Sequence, residues 1–310
     1  MLILRILKNR NFIFILAFSL GLLIGDKTGT WIKHLTVPAL AIVMIVSFTQ
    51  FSFRTFLDFR SLIKPSLYPI LVNYFVFGAI ILLLARYLIP DRQLWIGFVI
   101  LASAPPGVAI PPFTKITGGD ERFSVVGMVS THVAVMVLIP LAGISFIGRS
   151  FTQPLRLIIL FVEMIIVPII VSQILIKFKM DNYLKKWRGP VVNWGLFVII
   201  FVVIALNRNL FFEDLKIFGI ISLISVISIF GSWFLLSIFF KIIKSDKSIR
   251  PNLVLFGTIK NSSFAAATAL SLFGERASVP GAIFSIFLII YLIVVGFLAQ
   301  KNEVMRSQYL

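Results

Sequence analysis

Apolar runs about 20 residues long, separated by short clusters of lysine and arginine, recur along this chain and constrain its fold more than any other feature. Hydrocarbon offers no partner to a backbone N–H or C=O. Runs of this length can therefore enter a membrane only as helices, which satisfy those groups internally. A transmembrane barrel would instead alternate apolar and polar residues in segments of about ten, and no such pattern appears. Length and apolarity place ten spans near residues 11–25, 32–53, 66–89, 93–117, 122–147, 154–177, 189–206, 217–241, 251–273 and 279–300. The expected class is an all-α membrane protein.

Composition agrees. Hydrophobic residues make up 59% of the chain, well above the roughly 45–50% of soluble domains. The net charge of +17 raises the question of nucleic acid. The cations, however, sit in short loops between spans, and no basic helix or aromatic-interleaved patch of the RNA-binding kind is present, so no nucleic-acid partner is expected. They crowd the N-terminus, alternate loops (Arg54, Arg60, Lys64; Lys177, Lys179, Lys185, Lys186, Arg188; Lys241, Lys244, Lys247, Arg250) and the C-terminus, and are sparser in the loops between. That bias places both termini in the cytoplasm of a multi-pass inner-membrane protein, and an even number of spans fits it. Trp31, Trp95 and Trp187 fall near span ends, where they contact the lipid interface. The basic, apolar N-terminus has no small-residue cleavage signal and reads as a retained first span. Cysteine is absent, which removes thiolate metal sites and thiol catalysis.

An internal repeat organises the spans. GGDERFSVVG around residue 120 matches LFGERASVPG around residue 275, with Glu121, Arg122, Ser124, Val125 and Gly127 answering to Glu275, Arg276, Ser278, Val279 and Gly281. Both copies follow the fourth span of a set of five. Five is odd, so the second set enters the membrane from the opposite side, giving inverted repeats over residues 1–148 and 149–310. At the same offset, Pro106 pairs with Lys260 and Gly107 with Asn261. Pro105, Pro106, Gly107, Pro111 and Pro112 break the fourth span, the second proline pair delaying its recovery. Lys260, Asn261, Ser262 and Ser263 form a polar run in the ninth. Two broken helices meeting at mid-membrane expose free N–H and C=O groups, a binding site for an ion or polar solute. The candidate crossover residues are Pro106, Gly107, Lys260, Asn261, Ser262 and Ser263.

The chain resembles the bile acid:sodium symporter family. The resemblance is carried by PPG at 105–107 with GGD at 118–120, and by NSSFAAATAL at 261–270 with VPGAIFS at 279–285. It implies a panel of spans 1, 2, 6 and 7, and a core of spans 3, 4, 5, 8, 9 and 10 with two crossed, broken helices. It also implies organic-anion substrates in the cleft between them and sodium at the crossover. The family's ninth span usually carries an acid and, four residues later, Gln-Asn-Ser; here stand Phe256, Lys260, Asn261 and Ser262. Its fourth span usually has Ser-Asn where this chain has Ile110 and Pro111. Sodium favours hard oxygen donors, which these side chains lack, so sodium binding is in doubt. The related arsenite exporters rely on a cysteine that is missing here.

Charge inside a span marks function by default. Glu163 is the one acid deep in a span, a candidate for coupling or solute contact, with Lys260 its basic counterpart. The lysine ammonium could stand in for a bound cation, or release a proton as the coupling group. Asn73, His132 and Asn193 are polar residues within spans, more readily interhelical hydrogen bonders than ligands. The reading is a secondary transporter of a small organic solute, expected to be an organic anion, working by alternating access, with proton-coupled or uncoupled transport or export on the same fold as the alternative. A channel or enzyme fits less well: one mid-span acid, one mid-span histidine and no metal-ligand spacing argue against intramembrane catalysis. No nucleotide-binding loop and no cofactor motif are visible. Membrane lipids, a small solute and, in the alternative, protons are the expected partners.

Overall fold

The computed structural model describes residues 10–49, 59–148, 159 and 162–308, and among these every regular element is helical. The helices are α1 (Arg10–Ile24), α2 (Asp26–Ile32), α3 (Thr36–Phe48), α4 (Phe59–Ile70), α5 (Gly78–Leu88), α6 (Arg92–Ser103), α7 (Ile110–Ile116), α8 (Glu121–Ala142), α9 (Val167–Lys177), α10 (Asp181–Leu206), α11 (Arg208–Glu213), α12 (Leu215–Val226), α13 (Ser232–Ile242), α14 (Arg250–Phe256), α15 (Ser262–Phe273) and α16 (Glu275–Gln308). Wider π turns at Leu71–Phe77 and Ile227–Gly231 join α4 to α5 and α12 to α13, and others extend α8 (Gly143–Ile147) and precede α9 (Val162–Ile166).

Among the described residues, six apolar helical segments are long enough to cross a membrane: Lys27–Phe48, Leu62–Leu88, Glu121–Ile147, Asp181–Leu206, Leu215–Ile242 and Glu275–Ala299. Four shorter apolar helices accompany them, Phe12–Ile24, Arg92–Ser103, Val167–Lys177 and Ser262–Phe273. The protein is thus a multi-pass helical membrane protein. Short polar punctuation starts several helices. Asp91, Asp120 and Asp214 accept hydrogen bonds from the backbone N–H three residues on (Leu94, Phe123 and Ile217), which satisfies donors the first turn leaves free.

The helices pack in two groups. In one, α10 lies along α1, α2 and α3, while α9 packs on α3. In the other, α16 packs on α15, α6 and α12, α8 packs on α4, and α6 packs on α5 and α15. The groups meet where α10 touches α15 and α16, and where α3 touches α15. Gly281 permits a close approach in the second group. A Cβ there would come within 2.8 Å of both the Ala266 nitrogen and the Ser262 carbonyl.

Both expected helix breaks are present. α6 stops at Ser103, and Ala104 turns extended, as a residue before proline must. The chain resumes as α7 at Ile110. Here the second proline pair acts differently from the sequence expectation: Pro111 and Pro112 lie in the first turn of α7 and start the new helix instead of delaying it. A first-turn N–H has no intrahelical acceptor, so proline loses nothing there. In the other segment α14 stops at Phe256 and α15 starts at Ser262, capped by the Asn261 side chain, which accepts from Phe264 N–H at 3.1 Å.

Candidate functional site at the paired helix breaks

The two breaks are bonded to each other. Asn261 N–H donates to the Pro105 carbonyl at 2.8 Å. Gly107 lies so close to the second break that a Cβ would sit 2.9 Å from the Ile259 side chain and 3.2 Å from the Lys260 carbonyl. Helices α6 and α15 pack together on one side of this junction, and α7 and α14 on the other.

Lys260 occupies the centre. Its side chain is wholly buried, and its Nζ donates to four oxygens: Ala102 O at 2.6 Å, Asn73 Oδ1 at 2.8 Å, Asn73 O at 2.9 Å and Ala104 O at 3.0 Å. Ala102 and Ala104 supply carbonyls that the end of α6 leaves without intrahelical donors. The ring of Tyr74 lies 4.7 Å from Nζ, adding a cation–π contact. Asn73 completes the arrangement from the other side, its amide Nδ2 donating to Phe256 O at 2.7 Å, where α14 ends. One asparagine therefore ties the carbonyl end of one broken helix to the ammonium that caps the other. All the oxygens around Nζ are neutral, and among the described residues no carboxylate pairs with it.

Beside this junction, between the two groups of helices, lies a cavity of about 260 Å³. Its walls are mostly apolar, with Val43 of α3, Leu196 of α10 and Leu288 of α16 among them. The polar groups facing it are few: Ser47, Arg188, Asn193, Ser285, and Lys260 through Ser263 at the break. A concave apolar space with a handful of placed polar groups is the usual form of a small-molecule site. Ser262 and Ser285 share a hydrogen bond at 2.8 Å across its wall.

The residues singled out in the sequence separate clearly. Gly107, Lys260, Asn261, Ser262, Ser263 and Asn193 line the cavity. Pro106 is buried in the break behind it. Asn73 belongs to the lysine's shell. His132 is buried away from the lining, with Nδ1 2.8 Å from Met128 O and its ring edge-on to Phe48. Glu163 sits in the Val162–Ile166 π turn with its side chain exposed, outside the cavity lining. Ile110 and Phe256 are buried and offer the junction no side-chain oxygen. Of the topology cations, Arg54 lies outside the described residues. Arg188 was read in the sequence as one more loop charge, yet it turns into the cavity; nothing in the local string Lys185-Lys186-Trp187-Arg188 sets it apart from its neighbours.

A protein of Bacillus subtilis (strain 168) named "Uncharacterized sodium-dependent transporter YocS" is 25% identical over 238 residues, which span 74% of this chain and 73% of that one. The profile of the Sodium Bile acid symporter family matches residues 37–214, more than half of the chain. The chain belongs to the sodium bile acid symporter family of membrane transporters.

Proposed function

We propose that this protein is a secondary transporter of a small organic solute that works by alternating access, with the Lys260 ammonium standing where relatives hold sodium. The observation that carries the reading is the shell of four oxygens at 2.6–3.0 Å around a fully buried Nζ at the helix breaks. In it a fixed cation satisfies the carbonyls that the break exposes, while Phe256, Ile110 and Pro111 bring no oxygen ligands for a mobile one. On this reading the ten spans form two inverted sets of five, residues 1–148 and 149–310. The α1–α3, α9 and α10 group is the panel, and the remaining long helices are the core. The positive-residue bias places the termini in the cytoplasm of the inner membrane, with the Arg188 end of the cavity on that side. Glu163 stands apart from the cavity, so its proposed part in coupling or solute contact belongs to a conformation in which the two groups have moved.

A second reading keeps the fold and makes Lys260 the coupling group, releasing a proton during the cycle. The all-neutral oxygen shell favours it, because no carboxylate holds the ammonium charged. Counterflow of labelled solute in proteoliposomes, with and without sodium, tests the first reading: exchange should proceed equally in both. A saturable sodium requirement would overturn it, and uptake driven by an imposed pH gradient would select the second reading.

A further inference from the structure

Among the described residues two cations line the cavity, and only one of them has all its donors taken up by the protein. Lys260 spends its three donors on four oxygens, as described above. Arg188 does not. Its guanidinium has five N–H donors in a fork suited to a carboxylate or phosphate. Nη2 reaches the Thr49 hydroxyl at 3.2 Å and the Thr49 carbonyl at 3.5 Å. Nε is buried without any hydrogen-bond partner. Among the described residues no carboxylate lies within ion-pair distance of Arg188, the attraction of Asp181 two turns earlier on α10 acting from further away, and none lines the cavity.

A loop charge serving only membrane orientation should extend into water, as Lys185 and Lys186 do one turn away, both exposed. Arg188 is instead half-buried on the cavity face of α10. Leaving guanidinium donors unpaired in a partly dry site costs free energy unless something arrives to accept from them. The N-terminus of α15 adds to the positive balance, because Ser262 and Ser263 bring its first turn to the same space.

We infer that Arg188 is the residue that selects the solute, gripping the anionic end of the organic anion that the family resemblance implies. The anionic end meets the free edge of the guanidinium, and the body lies against Val43, Val192, Leu196 and Leu288. The inference rests on the cavity being the transport site and deepens that reading by naming the group that selects the solute.

The test uses the full-length protein in nanodiscs, with short and medium-chain monocarboxylates and the matching primary amides as probes, followed by thermal shift. Acids should stabilise the wild type and amides should not. Arg188→Gln should weaken acid binding by about tenfold to a hundredfold, the usual weight of a hydrogen bond to a charged group. Arg188→Lys should keep part of the preference, and Lys185→Gln and Lys186→Gln should keep all of it. Arg188→Lys keeps the charge at this position, so its reduced preference beside unchanged Lys185→Gln and Lys186→Gln leaves the question decidable even where Arg188→Gln misfolds. Equal response to acids and amides, no response of the wild type to any acid, or an unchanged preference in a folded Arg188→Gln overturns the assignment. Failure of counterflow for every solute would sink the transport reading instead, and leave acid binding at Arg188 standing.

Discussion

Replacing Lys260 with glutamine, the residue its relatives usually have, gives a direct measure of what the ammonium does. Of the four oxygens around Nζ, Asn73 O also accepts the Gly78 N–H and keeps a partner without the lysine. Asn73 Oδ1, Ala102 O and Ala104 O receive no other hydrogen bond described above. A glutamine amide has two N–H donors for these three acceptors, so at least one stays unpaired in the interior. One buried unsatisfied oxygen costs about 1–3 kcal/mol. Removing a buried charge works in the opposite direction. That relief keeps the expected loss below the roughly 3–5 kcal/mol seen when a buried ion pair loses one member. The variant should melt roughly 2–10 °C lower in sodium-free buffer. The emptied shell, now with a glutamine oxygen added, should accept a mobile cation. Sodium at a hundred times its dissociation constant would return about 2.7 kcal/mol, so a sodium-dependent rise in melting temperature should appear in Lys260→Gln and be absent from the wild type. Equal melting of variant and wild type, with sodium indifferent in both, would refute the view that these oxygens require a cation.

Gly281→Ala should cost about 1–3 kcal/mol through overpacking, because the added Cβ would fall 2.8 Å from backbone atoms of α15; thermal unfolding checks this, and unchanged stability would mean α16 can shift freely. Asp91 accepts from Arg276 at 2.8 Å. Partial burial pushes its carboxyl up, but the Leu94 N–H and the Arg276 guanidinium together hold it below its ordinary value of 3.8. A lowered folded-state value stabilises above the unfolded value and is lost as pH falls through the folded one. Arg276→Gln should therefore cost no more than about 1 kcal/mol near neutrality, with the gap to wild type closing below about pH 4; a gap that persists in acid would show the ion pair is not its source. Glu163→Gln should alter the pH dependence of solute exchange if the carboxyl couples or contacts solute, and identical pH profiles would make it structural.

Much of the architecture was legible because lipid permits so few solutions. Span positions followed from apolar length. The breaks at 104–109 and 257–261 were readable because Pro105, Pro106 and a lysine inside an apolar run conflict with a continuous helix. Tertiary partners were harder. Asn73 reads as one polar residue in an apolar helix, and only the fold brings it to Lys260, 187 positions away in sequence. Arg188 was masked by a competing explanation, because cations at span ends also set membrane orientation. Pro111 and Pro112 misled for a local reason: the same residue that ends a helix is well tolerated in its first turn.

The lysine shell also bears on the energetics of the transport cycle. An ion that binds, crosses and leaves carries free energy from its gradient into the solute, whereas a cation fixed to the chain begins and ends each cycle in the same place. However well Lys260 arranges the core, it therefore contributes order without work. On the proposed reading, in which no sodium is carried, a Lys260 that retains its proton throughout leaves a carrier that can only equilibrate its solute across the membrane. It would run in whichever direction the solute's own concentration and the membrane potential dictate, exporting as readily as importing. Concentrative uptake would then need the proton of Lys260 itself, or that of another group, to be taken up on one side and given up on the other.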